Sequence, residues 1–133
     1  MPVEVDWDDS QHTIVRMKFI GRWNWEEAYA GTQTCYDLID TVDQVVNVIV
    51  DMRQSGGLPV LAMTHSRNLV SKRHPRVRLT VFLGVNALFT TMWKAYAKAY
   101  PQVTRSSEFS FARTDAEAYQ IFAALPPGSV QTT

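Results

Sequence analysis

Val45-Val46-Asn47-Val48-Ile49-Val50 restricts this chain more than any other segment, because it is almost wholly β-branched and runs straight into Asp51. Such side chains are stiff at χ1 and fit a pleated surface. Apolar residues at nearly every position, rather than every second one, describe a strand covered on both faces, as at the centre of a parallel sheet. A carboxylate ends the run, and Met52-Arg53-Gln54-Ser55-Gly56-Gly57-Leu58-Pro59 follows. The expectation is a loop over Asp51–Leu58 at the carboxyl end of that strand, where open α/β sheets hold ligands and partners.

The flanking segments supply the other elements. Val3, Val5 and Trp7 alternate with Glu4, Asp6 and Asp8, and Val15, Met17 and Phe19 alternate with Arg16 and Lys18. With the polar turn Asp9-Ser10-Gln11-His12 between them, they form a hairpin. If Glu4 pairs with Lys18, Asp6 pairs with Arg16 in the same register, and the polar face carries opposite charges across strands. Asn24-Trp25-Glu26-Glu27 is a capping-box start for a helix whose inward stripe is Trp25, Ala28, Thr32, Cys35 and Ile39.

Residues 60–74 read as a second, basic helix with Leu61, Ala62, His65 and Leu69 on one face, stopped by Pro75. Val77, Leu79, Val81 and Leu83 mark a further strand. Gly84-Val85-Asn86 leads into a third helix with Phe89, Trp93, Tyr96 and Tyr100 on one face. That aromatic stripe suits a core, a homodimer interface or the wall of a pocket. Phe109 and Phe111 mark a last short strand, and Thr114-Asp115-Ala116-Glu117 opens a final helix facing inward with Ala118, Ile121, Phe122 and Leu125.

The order is ββαβαβαβα. It predicts an α/β fold with a mostly parallel central sheet behind an N-terminal hairpin, in one domain over residues 1–125 and a flexible tail over 126–133. With 133 residues, 46% of them hydrophobic, the chain can bury a core without disulfides. The lone Cys35 has no internal partner, no signal-peptide pattern opens the sequence, and no apolar run approaches the ~20 residues of a membrane span. A cytoplasmic protein is the expectation.

A formal net charge of zero conceals a partition. Residues 1–51 carry ten acids and three bases, whereas residues 52–107 carry nine bases and no carboxylate. The asymmetry suits an acidic partner or an anion, or else two halves that face each other within the fold or between subunits. Arg67, Lys72, Arg73, Arg76 and Arg78 cluster, yet no nucleic-acid motif frames them, so nucleic acid is not the expected partner.

The order of elements and three short motifs resemble the STAS and SpoIIAA-like group, the anti-sigma-factor antagonists and their relatives. The motifs are Gly21-Arg22-Trp23-Asn24-Trp25-Glu26-Glu27, Val48-Ile49-Val50-Asp51-Met52 and Ser55-Gly56-Gly57-Leu58. The resemblance implies a regulatory, protein-binding module in which a Ser at the start of the second helix is phosphorylated by a kinase-like partner. The charge then governs binding of an anti-sigma-like regulator. By position that residue is Ser55. Two departures stand against the switch: only three residues separate Asp51 from Ser55, and Gln54 occupies the place of an acid.

Read on its own chemistry, Ser55 would place a phosphate near a helix N-terminus and near Arg53, or it serves a plain turn. Asp51, Arg53, Gly56, Gly57 and Asn86 are the candidate partner- or anion-binding residues. Asp51 is expected to bond backbone amides of the following turn. His12, His65 and His74 show no metal-ligand spacing, no nucleophile elbow is present, and the glycines lack the Gly-Lys-Ser/Thr of a phosphate loop. No enzyme, metal or cofactor is therefore expected. The alternative to a regulatory module is a small-ligand or lipid-binding domain with a pocket beside Trp93 and Tyr96.

Overall fold

The computed structural model describes residues 2–57, 59–61, 64–65, 68–69, 72–84, 91, 94–95, 98 and 109–125. Its elements are β1 (Val3–Trp7), β2 (Ile14–Gly21), α1 (Trp25–Ile39), β3 (Val46–Ser55), β4 (Val77–Leu83), β5 (Phe109–Ala112) and α2 (Asp115–Ala123). The strands form one sheet in the order β1-β2-β3-β4-β5. β1 is antiparallel to β2 and every other neighbouring pair is parallel. This is the mostly parallel α/β architecture that the alternation of patterns requires.

Thr64, His65, Asn68 and Leu69 are helical, as are Thr91, Lys94, Ala95 and Lys98, within the second and third helices expected from sequence. Asn86, Phe89, Trp93, Tyr96 and Tyr100 lie outside the described residues, and so does the 126–133 tail. The aromatic interface or pocket expected on the third helix therefore falls outside them too.

Glu4 lies opposite Lys18 and Asp6 opposite Arg16, the register the hairpin alternation demands. That register sends Val15, Met17 and Phe19 to one face, where they pack with Val46 and Val48 beneath Ala28, Cys35 and Ile39 of α1. On the other face Ile49, Leu79, Val81 and Leu83 pack with Ala118, Ile121 and Phe122 of α2. β3 contributes to both cores, which explains its near-continuous apolar sequence. α1 lies close against β1 at Gly31, where a Cβ would lie 2.6 Å from Val3 Cγ1.

Two expectations need correction. β3 does not stop at Asp51 but continues to Ser55. Its pairing with β4 ends at Asp51↔Leu83, while pairing with β2 resumes past a register shift as Ile20↔Gln54 and Gly21↔Ser55. The carboxylate does not end the strand because two arginines neutralise it inside the sheet. The described strands follow one another across the sheet in chain order. Finally, Leu61 is exposed, with φ of 63°. A residue in the left-handed region cannot continue a right-handed helix. Its carbonyl instead accepts the His65 N–H at 3.1 Å, so Leu61 stands at the entry of the helix and not on its apolar face.

The acidic and basic portions of the chain meet within the fold. Asp40, just past α1, accepts from His74 at 2.8 Å and lies 4.0 Å from Arg76, and Asp51 pairs with Arg53.

Candidate ligand cavity and its ion-paired opposite face

On the α2 face, alternation along β2 points Arg16 away from the α1 core. Its guanidinium reaches three carboxylates: Asp8 at 2.8 Å, Asp51 at 2.9 Å and Asp115 at 3.0 Å. Asp6, its partner by register, instead accepts the Trp7 N–H at 2.7 Å. Asp51 is only 2% exposed. Its Oδ1 accepts from the Arg53 backbone N–H (3.1 Å) and Nε (3.0 Å), and its Oδ2 from Arg53 Nη2 (2.9 Å). The expected bond to a following amide is thus present, within the strand. Arg53 Nη2 also donates to Asp115 Oδ1 at 3.2 Å, and the Tyr119 hydroxyl donates to Asp8 Oδ2 at 2.7 Å. Gly84 (φ +74°) runs directly beneath Arg53, where any side chain would collide with Arg53 Cγ.

Burial opposes ionisation of Asp51, but the bonds and charge of Arg53, with Arg16, outweigh it and hold the carboxyl below its usual range. Asp8 is likewise buried against its ionisation and likewise held down, by Arg16 and Tyr119. The Tyr119 phenol is raised by its bond to Asp8 and by burial. The cluster is a clasp that ties the start of α2 to β1, β2 and β3. Its charges are directed at one another.

The candidate loop residues are similarly engaged. Ser55 Oγ accepts from Trp23 Nε1 at 2.9 Å and from the Gly57 N–H at 3.3 Å, and donates to the Gly57 carbonyl at 3.1 Å. The Gly56 N–H donates to the Gly21 carbonyl at 2.8 Å. Arg53 turns to Asp51 and Asp115, so its charge does not serve Ser55.

On the α1 face there is a cavity of about 130 Å³, partly open to solvent. Met17 and Phe19 of β2 and Val48, Val50 and Met52 of β3 form its floor, with Thr80 and Phe82 of β4 beside them. Ala28, Thr32, Cys35 and Tyr36 of α1 form the roof, and Trp23, Trp25, Leu69, Arg73 and Phe109 close the sides. The origin of the space is legible in α1. Its inward stripe carries Ala28, Thr32 and Cys35 at positions where larger apolar side chains would fill the gap against the sheet. Burial pushes the Cys35 thiol up to about 12.

An aromatic series runs along one side of the cavity. Phe19 meets Trp23 edge-on at 4.7 Å, Trp23 meets Trp25 edge-on at 4.9 Å, and Trp25 stacks on His65 at 5.0 Å. Trp25 Nε1 donates to the Val60 carbonyl at 2.6 Å. His65 Nδ1 lies 2.8 Å from the Tyr29 hydroxyl, which also accepts from Asn68 at 3.3 Å. These contacts hold Val60, His65 and Asn68 against α1. Among the described residues no group of three or more His, Cys, Asp or Glu side chains is placed to hold a metal ion, and no helix is long and apolar enough to cross a membrane.

Sequence reasoning singled out Asp51, Arg53, Ser55, Gly56 and Gly57, and the structure places them along one strand end. It did not identify Arg16 as a partner of Asp51, nor Asp8, Asp115 and Tyr119 as the groups that share its arginines, nor Trp23, Tyr36, Phe82 and Phe109 as a cavity wall. The small residues within the apolar stripe of α1 were the available signal for the cavity.

No protein-family model and no curated protein matches the chain by sequence. Its structure is similar to that of an uncharacterized protein of the DUF3478 family from Shewanella loihica PV-4, which has a SpoIIAA-like fold. The TM-score is 0.64 at 16% sequence identity, over 90% of this chain and 92% of that one. The fold of this chain is therefore SpoIIAA-like.

Proposed function

We propose that this protein is a non-catalytic binding module that holds a small, mainly apolar molecule between α1 and the sheet. The carrying observation is the cavity itself, about 130 Å³ and walled by aromatic, Met and Val side chains. A dry apolar cavity of about 150 Å³ accepts a benzene molecule. The size class is thus one aromatic ring or a short acyl chain. Two features support a role without catalysis. The ionised groups of the clasp lie on the opposite face and are paired among themselves. Cys35, in the cavity wall, is held as a neutral thiol at physiological pH.

Toluene is a suitable first probe, followed by ligand-observed NMR and by the emission of Trp23 and Trp25. Saturable binding by the native protein is expected. Thr32→Leu should fill the space, raise stability by about 1 kcal/mol and abolish that binding. A native protein that binds no toluene refutes the reading.

A regulatory module switched at Ser55 is the second reading, favoured by the bond from Trp23 Nε1 to Ser55 Oγ. A phosphate on that oxygen would alter the anchor of a cavity-wall residue. Mass spectrometry of the protein isolated from its host tests it. An unmodified Ser55, together with unchanged partner binding by Ser55→Asp, removes the switch.

A further inference from the structure

Among the described residues that line the hollow between α1 and the sheet there is no carboxylate, and the one charged side chain is Arg73. Arg73 lies in the irregular segment that leads into β4. Its guanidinium carbon sits 5.6 Å from the centre of the Phe109 ring, and Phe109 stacks on Phe82 at 6.2 Å. Burial raises the Tyr36 phenol, and the His74 amide and the charge of Arg73 oppose it. The cation therefore belongs to the β4–β5 side of the hollow, while the tryptophan series starts from Phe19 on the β2 side. Met or Leu would close that wall without bringing a charge against apolar surface, which is costly. Arg73 has partners of its own, yet its Nη1 is buried and makes no hydrogen bond among the described residues. With five N–H donors, a guanidinium can be anchored by some and still present others.

Resting on the cavity reading above, we propose that the ligand is a small apolar carboxylate, its ring or short chain between α1 and the sheet and its acid group on the guanidinium of Arg73. The planar fork of a guanidinium matches a carboxylate in shape as well as charge, and bonds between two ionised partners are the stronger kind. Apolar walls around the pair strengthen it further by lowering the local dielectric. A neutral ring of the same size gains burial alone, and the preference for an acid follows from that difference.

Benzoate, benzamide and toluene share a ring and differ at one substituent, so together they isolate the charge. All three are titrated at neutral pH, where benzoate is ionised, into the native protein and into Arg73→Met, by ligand-observed NMR and tryptophan emission. Thermal unfolding verifies that the variant folds, and its binding of toluene verifies that the hollow persists. Arg73→Gln, neutral but polar, is the second variant should Arg73→Met not fold. The native protein should bind benzoate about ten-fold more tightly than benzamide. Either variant should lose that preference and leave toluene unchanged.

Benzoate bound no more tightly than benzamide by the native protein overturns the anionic class while the cavity reading stands. A preference for benzoate that survives substitution of Arg73 overturns the assignment to that residue. Failure of toluene to bind the native protein refutes the cavity reading itself, and this proposal with it.

Discussion

Asp51 is stable as a buried anion only because donors approach it from two arginines. The Arg16 contact spans 35 positions in sequence, and the bonds from Arg53 come from two positions away. Replacing it with Asn removes the charge but not the arginines, leaving Arg16 short of an anion in a site it cannot leave. Asp51→Asn should therefore cost about 3 kcal/mol, read from urea denaturation. Ser55 acts more locally. In Ser55→Ala the Trp23 indole N–H loses its acceptor, which should cost about 1 kcal/mol and shift the tryptophan emission. Unchanged emission would mean that Trp23 does not depend on this bond. The importance of Asp51 was legible in the sequence, because a carboxylate closing a β-branched run is conspicuous. Its role was not. Arg16 and Asp115 lie 99 residues apart, and no local pattern specifies which acids one guanidinium will gather.

At the scale of elements, α1 contains both the most and the least legible features of the fold. Its start follows from Asn24 and Glu27, which form the expected reciprocal capping bonds at 2.8 and 3.0 Å. Its inward face follows from the three- and four-residue spacing of Trp25, Ala28, Thr32, Cys35 and Ile39. The gap between helix and sheet does not, because periodicity shows which side faces in but not how closely it sits. Gly31 sets that distance over β1. In an exposed helix Gly→Ala gains about 1 kcal/mol. Here the new methyl would press on Val3 Cγ1, so Gly31→Ala should lose roughly 1–2 kcal/mol. Adding Val3→Ala should recover part of the loss. A stabilised single variant would show that α1 moves freely over the hairpin. Thr114 is the simpler case: its Oγ1 accepts the Glu117 N–H at 3.1 Å, and Thr114→Ala should cost about 1 kcal/mol.

Considered whole, the molecule carries an ion-paired clasp on one face of the sheet and a mainly apolar hollow on the other, with β2 and β3 serving both. The charged face makes stability depend on acid. The carboxyls of Asp8 and Asp51 titrate lower in the folded chain than the ~3.9 of an unfolded one, so the unfolded state takes up protons first as pH falls. Their contribution is complete above about pH 5 and is lost as pH drops through the depressed folded values. Chemical denaturation at neutral and acid pH should show this loss, and Arg16→Met should flatten the profile by removing the shared partner. The hairpin register and both cores were legible because alternation fixes which side chains share a face. The hollow and the clasp were not, since each depends on distances between elements that pack in three dimensions. Cys35 adds a clock to this arrangement. A small neutral alkylating reagent meets this buried thiol, raised to about 12, by entering the hollow that it lines or when α1 lifts from the sheet. The labelling rate at neutral pH therefore reads access to the hollow, and an occupant should lower it.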